Sequence, residues 1–421
     1  MTLDISAIRR QFPILDQELI YLDSAATAQK PQIVIDALKE FYAKKNANVH
    51  RGMHGLAEQA TTAYENARTS VQKFINAASP EEIIFTKSCT ESINLVANSY
   101  SSRREGVRGR GSVVLSLLEH HSNIVPWMMC GAHLHWINID EYGNTRLEQL
   151  DTYLKQENIE LVAITGQSNV LGTRPPLKEI IQKAHAAGAY VLVDAAQLVA
   201  HHQVNVQELD CDFLAFSAHK LYGPTGIGVL YGKRELLEKM PPFIGGGMMI
   251  KEATQTGFTP ADIPQKFEGG TPPIAQAIGL AAALEWLEQF AWKDIEEHEH
   301  ALLKHAEHIL KNIDGLKILP ACHPEPDEGR HAQDVMVRRA HHDMERSGCL
   351  SFVLDKVHPH DLTDILGEQG ICLRAGHHCA MPLHKRLNIP ASTRVSFGIY
   401  NTIQEIDILA DAIQHAQKIL Q

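Results

Sequence analysis

The stretch PLKEIIQKAHAAGAYVLVDAAQ, Pro176 to Gln197, decides the fold. Its first half has helical spacing, with proline at the start and Gly188 at the end. Its second half, AYVLVDAAQ, is an apolar run that stops at a carboxylate, Asp194. Outward from this pair, ELVAITGQSN (Glu160–Asn169) and GSVVLSLLEH (Gly111–His120) precede it, and CDFLAFSAHK (Cys211–Lys220) and GIGVLYG (Gly226–Gly232) follow, all reading as strands. Near-continuous apolar strands joined through helices predict an α/β fold with a mostly parallel sheet covered on both faces. Ligands gather at the carboxyl ends of such strands, and the polar residues of this chain cluster there.

From about Trp292 the character changes. A long polar helix, Lys293–Ile313, leads to the strands CLSFVLD (Cys349–Asp355) and TRVSFGIYN (Thr393–Asn401) and a closing helix. The expected division is a large domain over 21–291 and a smaller α+β domain built from 1–20 and 292–421. Residues 320–347, rich in histidine, proline and charge, read as a solvated insertion in the smaller domain.

The chain has 421 residues and a net charge of −11, which argues against nucleic acid as main partner. No apolar run reaches the roughly 18 residues of a membrane span. The opening MTLDISAIRRQF has no apolar signal core, and seven cysteines form no close-spaced framework. A reducing, cytoplasmic location is expected.

Three strand ends carry the chemistry. VLVDAAQ ends in Asp194 and Gln197, AFSAHK ends in Ser217, His219 and Lys220, and KSCTES (Lys87–Ser92) opens a helix with Thr90. A carboxylate past an apolar strand is costly to desolvate unless a positive group meets it. Burial lowers a lysine toward values useful for imine chemistry. Thr90, Ser217, His219 and helix N-terminal amides suit a phosphate. An amine for an aldehyde, a carboxylate for a pyridine nitrogen and hydroxyls for a phosphate together describe pyridoxal 5'-phosphate, linked covalently to Lys220. Gln197 can then bond the phenolic oxygen, and His120 can stack on the ring or shuttle protons.

A second feature is LRAGHHCAMPL, Leu373 to Leu383. Arg374 offers a fork for an amino-acid carboxylate. Cys379 follows two histidines and Gly376 on an expected mobile loop, where positive charge from the histidines or Arg374 would favour its thiolate. Cys89, Cys130, Cys211, Cys349 and Cys372 sit in apolar or strand contexts and read as small buried hydrophobes.

With these residues in view, the chain resembles a cysteine desulfurase of the SufS type, within the class V aminotransferase-like, fold type I pyridoxal phosphate enzymes. YLDSAATAQKP (Tyr21–Pro31), NVHRGMHGL (Asn48–Leu56), EHHSNIVPW (Glu119–Trp127), SNVLGT (Ser168–Thr173), FEGGTP (Phe267–Pro272), RAGHHCAMPL and YNT (Tyr400–Thr402) carry the resemblance with the motifs above. It implies a seven-stranded sheet in the large domain and a homodimer in which Thr271 reaches the phosphate of the neighbouring subunit's cofactor. It implies Asn169 near the ring oxygen and substrate carboxylate, Arg374 on that carboxylate, and Cys379 as acceptor of sulfur from L-cysteine. Alanine and a Cys379 persulfide would be the products, supplying iron–sulfur cluster assembly through an acceptor protein of the SufE or SufU kind. Gly166–Gln167 stand where a bulkier or histidine-containing pair is expected, and the 320–347 connection is longer than usual.

Competing readings remain. Cys322, His323, His331, His341, His342 and Cys349 suggest zinc, but adjacent pairs converge poorly on one ion, so no metal is expected. Selenocysteine lyase and cysteine sulfinate desulfinase use the same scaffold without needing a persulfide on Cys379. A transaminase would leave Cys379 without a task.

Overall fold

The computed structural model describes residues 3–101, 111–320 and 346–420. In chain order the strands are β1 (Ile20–Tyr21), β2 (Ile83–Thr86), β3 (Ser112–Ser116), β4 (His133–Ile137), β5 (Ile159–Thr165), β6 (Tyr190–Asp194), β7 (Phe213–Ser217) and β8 (Gly228–Gly232). They continue with β9 (Ile250–Ala253), β10 (Phe258–Pro260), β11 (Leu316–Ile318), β12 (Cys349–Leu354), β13 (Ile371–Cys372), β14 (Arg374–Gly376) and β15 (Ser392–Ser396).

Seven strands form one sheet in the order β2-β8-β7-β6-β5-β3-β4. The five from β7 to β4 run parallel, while β8 is antiparallel to both β7 and β2. Side chains alternate across it as the two-residue period requires. Val114, Val162, Val191 and Leu214 join one core, while Val113, Leu161, Leu192 and Phe213 join another on the opposite face. The helices Gly55–Phe74 and Ile274–Leu287 cover the first face and Cys89–Ser101 covers the second. Each aliphatic side chain buried this way contributes roughly 1.5–3 kcal/mol. The expected doubly covered sheet is therefore present.

A second, four-stranded antiparallel sheet, β11-β12-β15-β14, packs on the helices Trp292–Leu310, Pro359–Glu368 and Ile403–Leu420 around its own core. β1 pairs in parallel with β13, yet Ile8, Phe12 and Leu15 just before it pack into the core of the large sheet. The expected strand Thr393–Asn401 is shorter: β15 ends at Ser396, and Tyr400 turns inward against Phe12. The strands expected to run to His120 and Lys220 end at Ser116 and Ser217, leaving polar tips free to line a site.

Residues 321–345, with Cys322, His323, His331, His341 and His342 of the zinc reading, lie outside the described residues. Among the described residues no helix is long and apolar enough to cross a membrane.

Candidate active site

A cavity of about 210 Å³ opens at the carboxyl ends of β3, β5, β6 and β7. It is lined by every residue assigned from the sequence to the cofactor, substrate and sulfur except Thr271: Thr90, His120, Asn169, Asp194, Gln197, Ser217, His219, Lys220, Arg374 and Cys379. Thr271 is exposed, beside Lys87 and Gly226 at a different pocket.

Asp194 is the last residue of β6 and is buried. Its Oδ1 accepts from the Ala196 amide at 3.0 Å and from the Cys89 thiol at 3.3 Å. Burial pushes its carboxyl up, opposed by the Ala196 amide and the Lys220 charge. Lys220 closes a short 3₁₀ turn after β7. Burial pushes its amine down, against the pull of Asp194. Among the described residues no hydrogen bond engages its Nζ.

The opposite end of the cavity is built from hydroxyls. Ser217 Oγ accepts the Cys89 amide at 2.8 Å, so its own proton stays free to be donated. Thr90, in the first turn of Cys89–Ser101, shares a 2.7 Å hydrogen bond with Ser122 Oγ. A β-carbon at Gly228 of β8 would lie 2.4 Å from the Ser88 carbonyl carbon and 2.8 Å from the Cys89 nitrogen. Only glycine lets β8 support this helix start so closely. Burial holds His219 down to about 4, so it is neutral.

His120 Nδ1 accepts the Ser122 amide at 3.1 Å. The neutral ring therefore carries its hydrogen on Nε2. Burial, reinforced by Lys220, lowers the ring to about 3. Gln197 is oriented by its Nε2 donating to the Ala25 carbonyl at 2.8 Å.

The second sheet supplies the other wall. Arg374 of β14 lies opposite Arg394 of β15, and both line the cavity. From the last residue of β14 onward the chain passes through positive φ at Gly376 (119°), His378 (50°) and Cys379 (56°). Two successive side-chain-bearing residues in the left-handed region mark stored strain. This segment is braced where a mobile loop was expected. His121 N–H donates to the Cys379 carbonyl at 2.7 Å, Asn169 Nδ2 to the His378 carbonyl at 2.7 Å, and Ala380 N–H to the His377 carbonyl at 2.8 Å. The Cys379 thiol itself is exposed. The expectation that neighbouring histidines charge it fails for His378, which burial holds down to about 2. Positive charge in this wall comes from the two arginines.

Arg394 lines the cavity without having been singled out in the sequence, whereas Cys89, Gln167 and His378 were noted there but given no place in the site. Arg394 is buried, donating to the Asn169 carbonyl at 3.0 Å and to Asp23 at 2.8 Å, while its Nε has no partner among the described residues. An arginine inside the expected strand TRVSFGIYN was its signal. Cys89 corrects its reading as an inert hydrophobe, since its thiol touches Asp194. Cys211 and Cys349 are buried as expected, whereas Cys130 and Cys372 are only half-buried.

The donor set fits pyridoxal phosphate. Among the described residues it offers a lysine amine without a hydrogen-bond partner, a buried carboxylate with both of its side-chain hydrogen bonds on one oxygen, and hydroxyls at a helix start beside a neutral imidazole. No His, Cys, Asp or Glu cluster that could hold a metal occurs among the described residues. The family model for aminotransferase class-V matches residues 20–409. The chain belongs to the aminotransferase class-V family. Class-V proteins are pyridoxal phosphate-dependent enzymes, in agreement with that fit. Similar members include a cysteine desulfurase of Shigella sonnei, 45% identical with 100% of both chains covered. A probable cysteine desulfurase of Streptomyces coelicolor is also 45% identical, over 99% of this chain and 97% of the relative. Among solved structures, the cysteine desulfurase CsdA of Escherichia coli superposes with a TM-score of 0.87 at 38% identity over 100% of both chains. The apo cysteine desulfurase of Thermococcus onnurineus gives 0.88 at 36% identity, covering 100% and 99%.

Proposed function

We propose that this class-V enzyme is a cysteine desulfurase: L-cysteine becomes L-alanine, and its sulfur stays on Cys379 as a persulfide. The observation that carries the reading is that an exposed, backbone-strained cysteine lines the same cavity as Lys220, Asp194 and two arginines.

Pyridoxal phosphate, held by Lys220, Asp194, Gln197, Thr90, Ser217 and His219, would supply the sink for the electron pair at the substrate's α-carbon. Lys220 is the amine that holds the cofactor and then carries the α-proton, a role its lowered basicity suits. Arg374 and Arg394 receive the substrate carboxylate, with Asn169 beside them. His120, which lines the same cavity with its hydrogen on Nε2, would move a proton there. Cys379 takes the sulfur: the substrate C–S bond breaks, an S–S bond forms on Cys379, and the carbon ends as the methyl of alanine. A thiol plus L-cysteine thus gives a persulfide plus L-alanine, with no outside oxidant.

We further read the chain as a SufS-type member that feeds iron–sulfur cluster assembly from a cytoplasmic homodimer. The short, braced HHC loop limits the reach of Cys379, so a SufE- or SufU-like acceptor would come to it. Exposed Thr271 is available to a second copy's cofactor. The test is mass spectrometry of the Cys379 peptide after brief exposure to L-cysteine. One added sulfur atom is expected there, and an unmodified peptide during active turnover contradicts the reading.

A further inference from the structure

Gln167 ends a chain of hydrogen bonds that begins at the surface. Glu296 Oε1 lies 2.8 Å from His202 Nδ1, and His202 Nε2 lies 2.7 Å from Ser347 Oγ. Ser347 Oγ donates to Gln167 Oε1 at 3.1 Å, and Gln167 Nε2 returns a bond to the Ser347 carbonyl at 3.0 Å. The chain thus clips the turn after β5 to the segment entering β12. Gly172 permits the close approach, since a β-carbon there would fall 2.6 Å from the Cys349 carbonyl oxygen. The same turn carries Asn169, whose amide holds the His378 carbonyl next to Cys379.

We propose that Gln167, Ser347 and His202 are positioning residues, forming a proton-sensitive clasp that holds Asn169 and, through it, the Cys379 segment. The clasp deepens the reading of Cys379 as the reactive thiol and rests on it. Its proton count follows from geometry. Gln167 Nε2 faces a carbonyl, so Oε1 must accept the only hydrogen of Ser347 Oγ. Ser347 Oγ must then accept from His202 Nε2–H, while Nδ1–H meets the Glu296 carboxylate. The satisfied clasp needs His202 doubly protonated. Once Nε2 loses its proton, Ser347 turns its hydroxyl to the ring and Gln167 Oε1 loses its donor. Besides Glu296, His202 faces Arg174 beyond the turn and His201 on its own helix, the latter bonded to Glu299.

The test is amide hydrogen exchange of peptides covering 167–173 and 377–381 in the cofactor-loaded enzyme, with alanine formation from L-cysteine measured in parallel. Gln167→Ala and His202→Leu are expected to speed exchange in both peptides by about fivefold and to lower kcat about tenfold with KM little changed. Ser347→Ala does the same if Gln167→Ala fails to fold. His202→Gln, whose amide can donate permanently toward Ser347, restores the wild-type values. Because burial pushes His202 below the ordinary histidine value, wild-type exchange in 167–173 (corrected for its intrinsic rate) rises as pH climbs through a range more acidic than that of a free histidine, and in His202→Gln it does not. Loosening of 167–173 without 377–381, or equal behaviour of His202→Gln and His202→Leu, overturns the clasp. If wild type makes no alanine from L-cysteine, the desulfurase reading falls, while the exchange data still decide the clasp.

Discussion

The amide of His121 donates a 2.7 Å hydrogen bond to the carbonyl of Cys379. The bond joins the segment after β3 to the segment after β14, two sheets meeting at the thiol. His120, one residue earlier, lines the cavity, so its imidazole and the Cys379 backbone are set by one short stretch. The left-handed conformation of Cys379 persists because such bonds over-determine it.

His120 gains its proton only as pH falls through about 3, so it stays neutral from pH 5 to 9. It should add no acid limb to the rate profile in that range. His120→Gln, which keeps a side-chain N–H, should lose less activity than His120→Ala, expected to fall about 10²-fold in kcat. Equal losses, or an acid limb near pH 6 that vanishes in His120→Gln, would contradict the assigned tautomer.

Gly228→Ala tests the seating of the helix start. The new methyl meets backbone atoms of Ser88 and Cys89, which cannot swing aside as a flexible side chain can. A stability loss of about 3 kcal/mol by chemical denaturation is expected, together with weaker pyridoxal phosphate binding by the refolded apoenzyme. Wild-type stability and cofactor affinity in this variant would refute the close contact.

Arg394→Lys keeps charge but loses the fork that holds the Asn169 carbonyl and Asp23. The KM for L-cysteine is expected to rise about tenfold, with the visible absorbance of the cofactor retained. An unchanged KM would remove Arg394 from the substrate wall.

The large sheet was legible because its strands are apolar on both sides and alternate with a well-punctuated helix, as in Pro176–Gln197. β2 and β4 were not foreseen: IIFT is short, and HLHWI carries two polar histidines at its alternate positions. Lys220 and Asp194 were legible because each is an ionisable group just beyond an apolar run, and Cys379 because it stands in the polar, glycine-containing RAGHHC. Arg394 and Gln167 were not, since their significance depends on partners 371 and 180 positions away, Asp23 for Arg394 and Ser347 for Gln167. Local spacing carries no record of such pairs.

The central claim is tested most directly by comparing wild type with Cys379→Ala for alanine and sulfide formed from L-cysteine plus reductant, with L-selenocysteine assayed alongside. The variant is expected to keep the visible absorbance of bound pyridoxal phosphate and to lose cysteine turnover by at least about 10²-fold. Cysteine turnover unchanged in Cys379→Ala would contradict sulfur transfer to this thiol and favour a lyase or desulfinase acting in the same cavity.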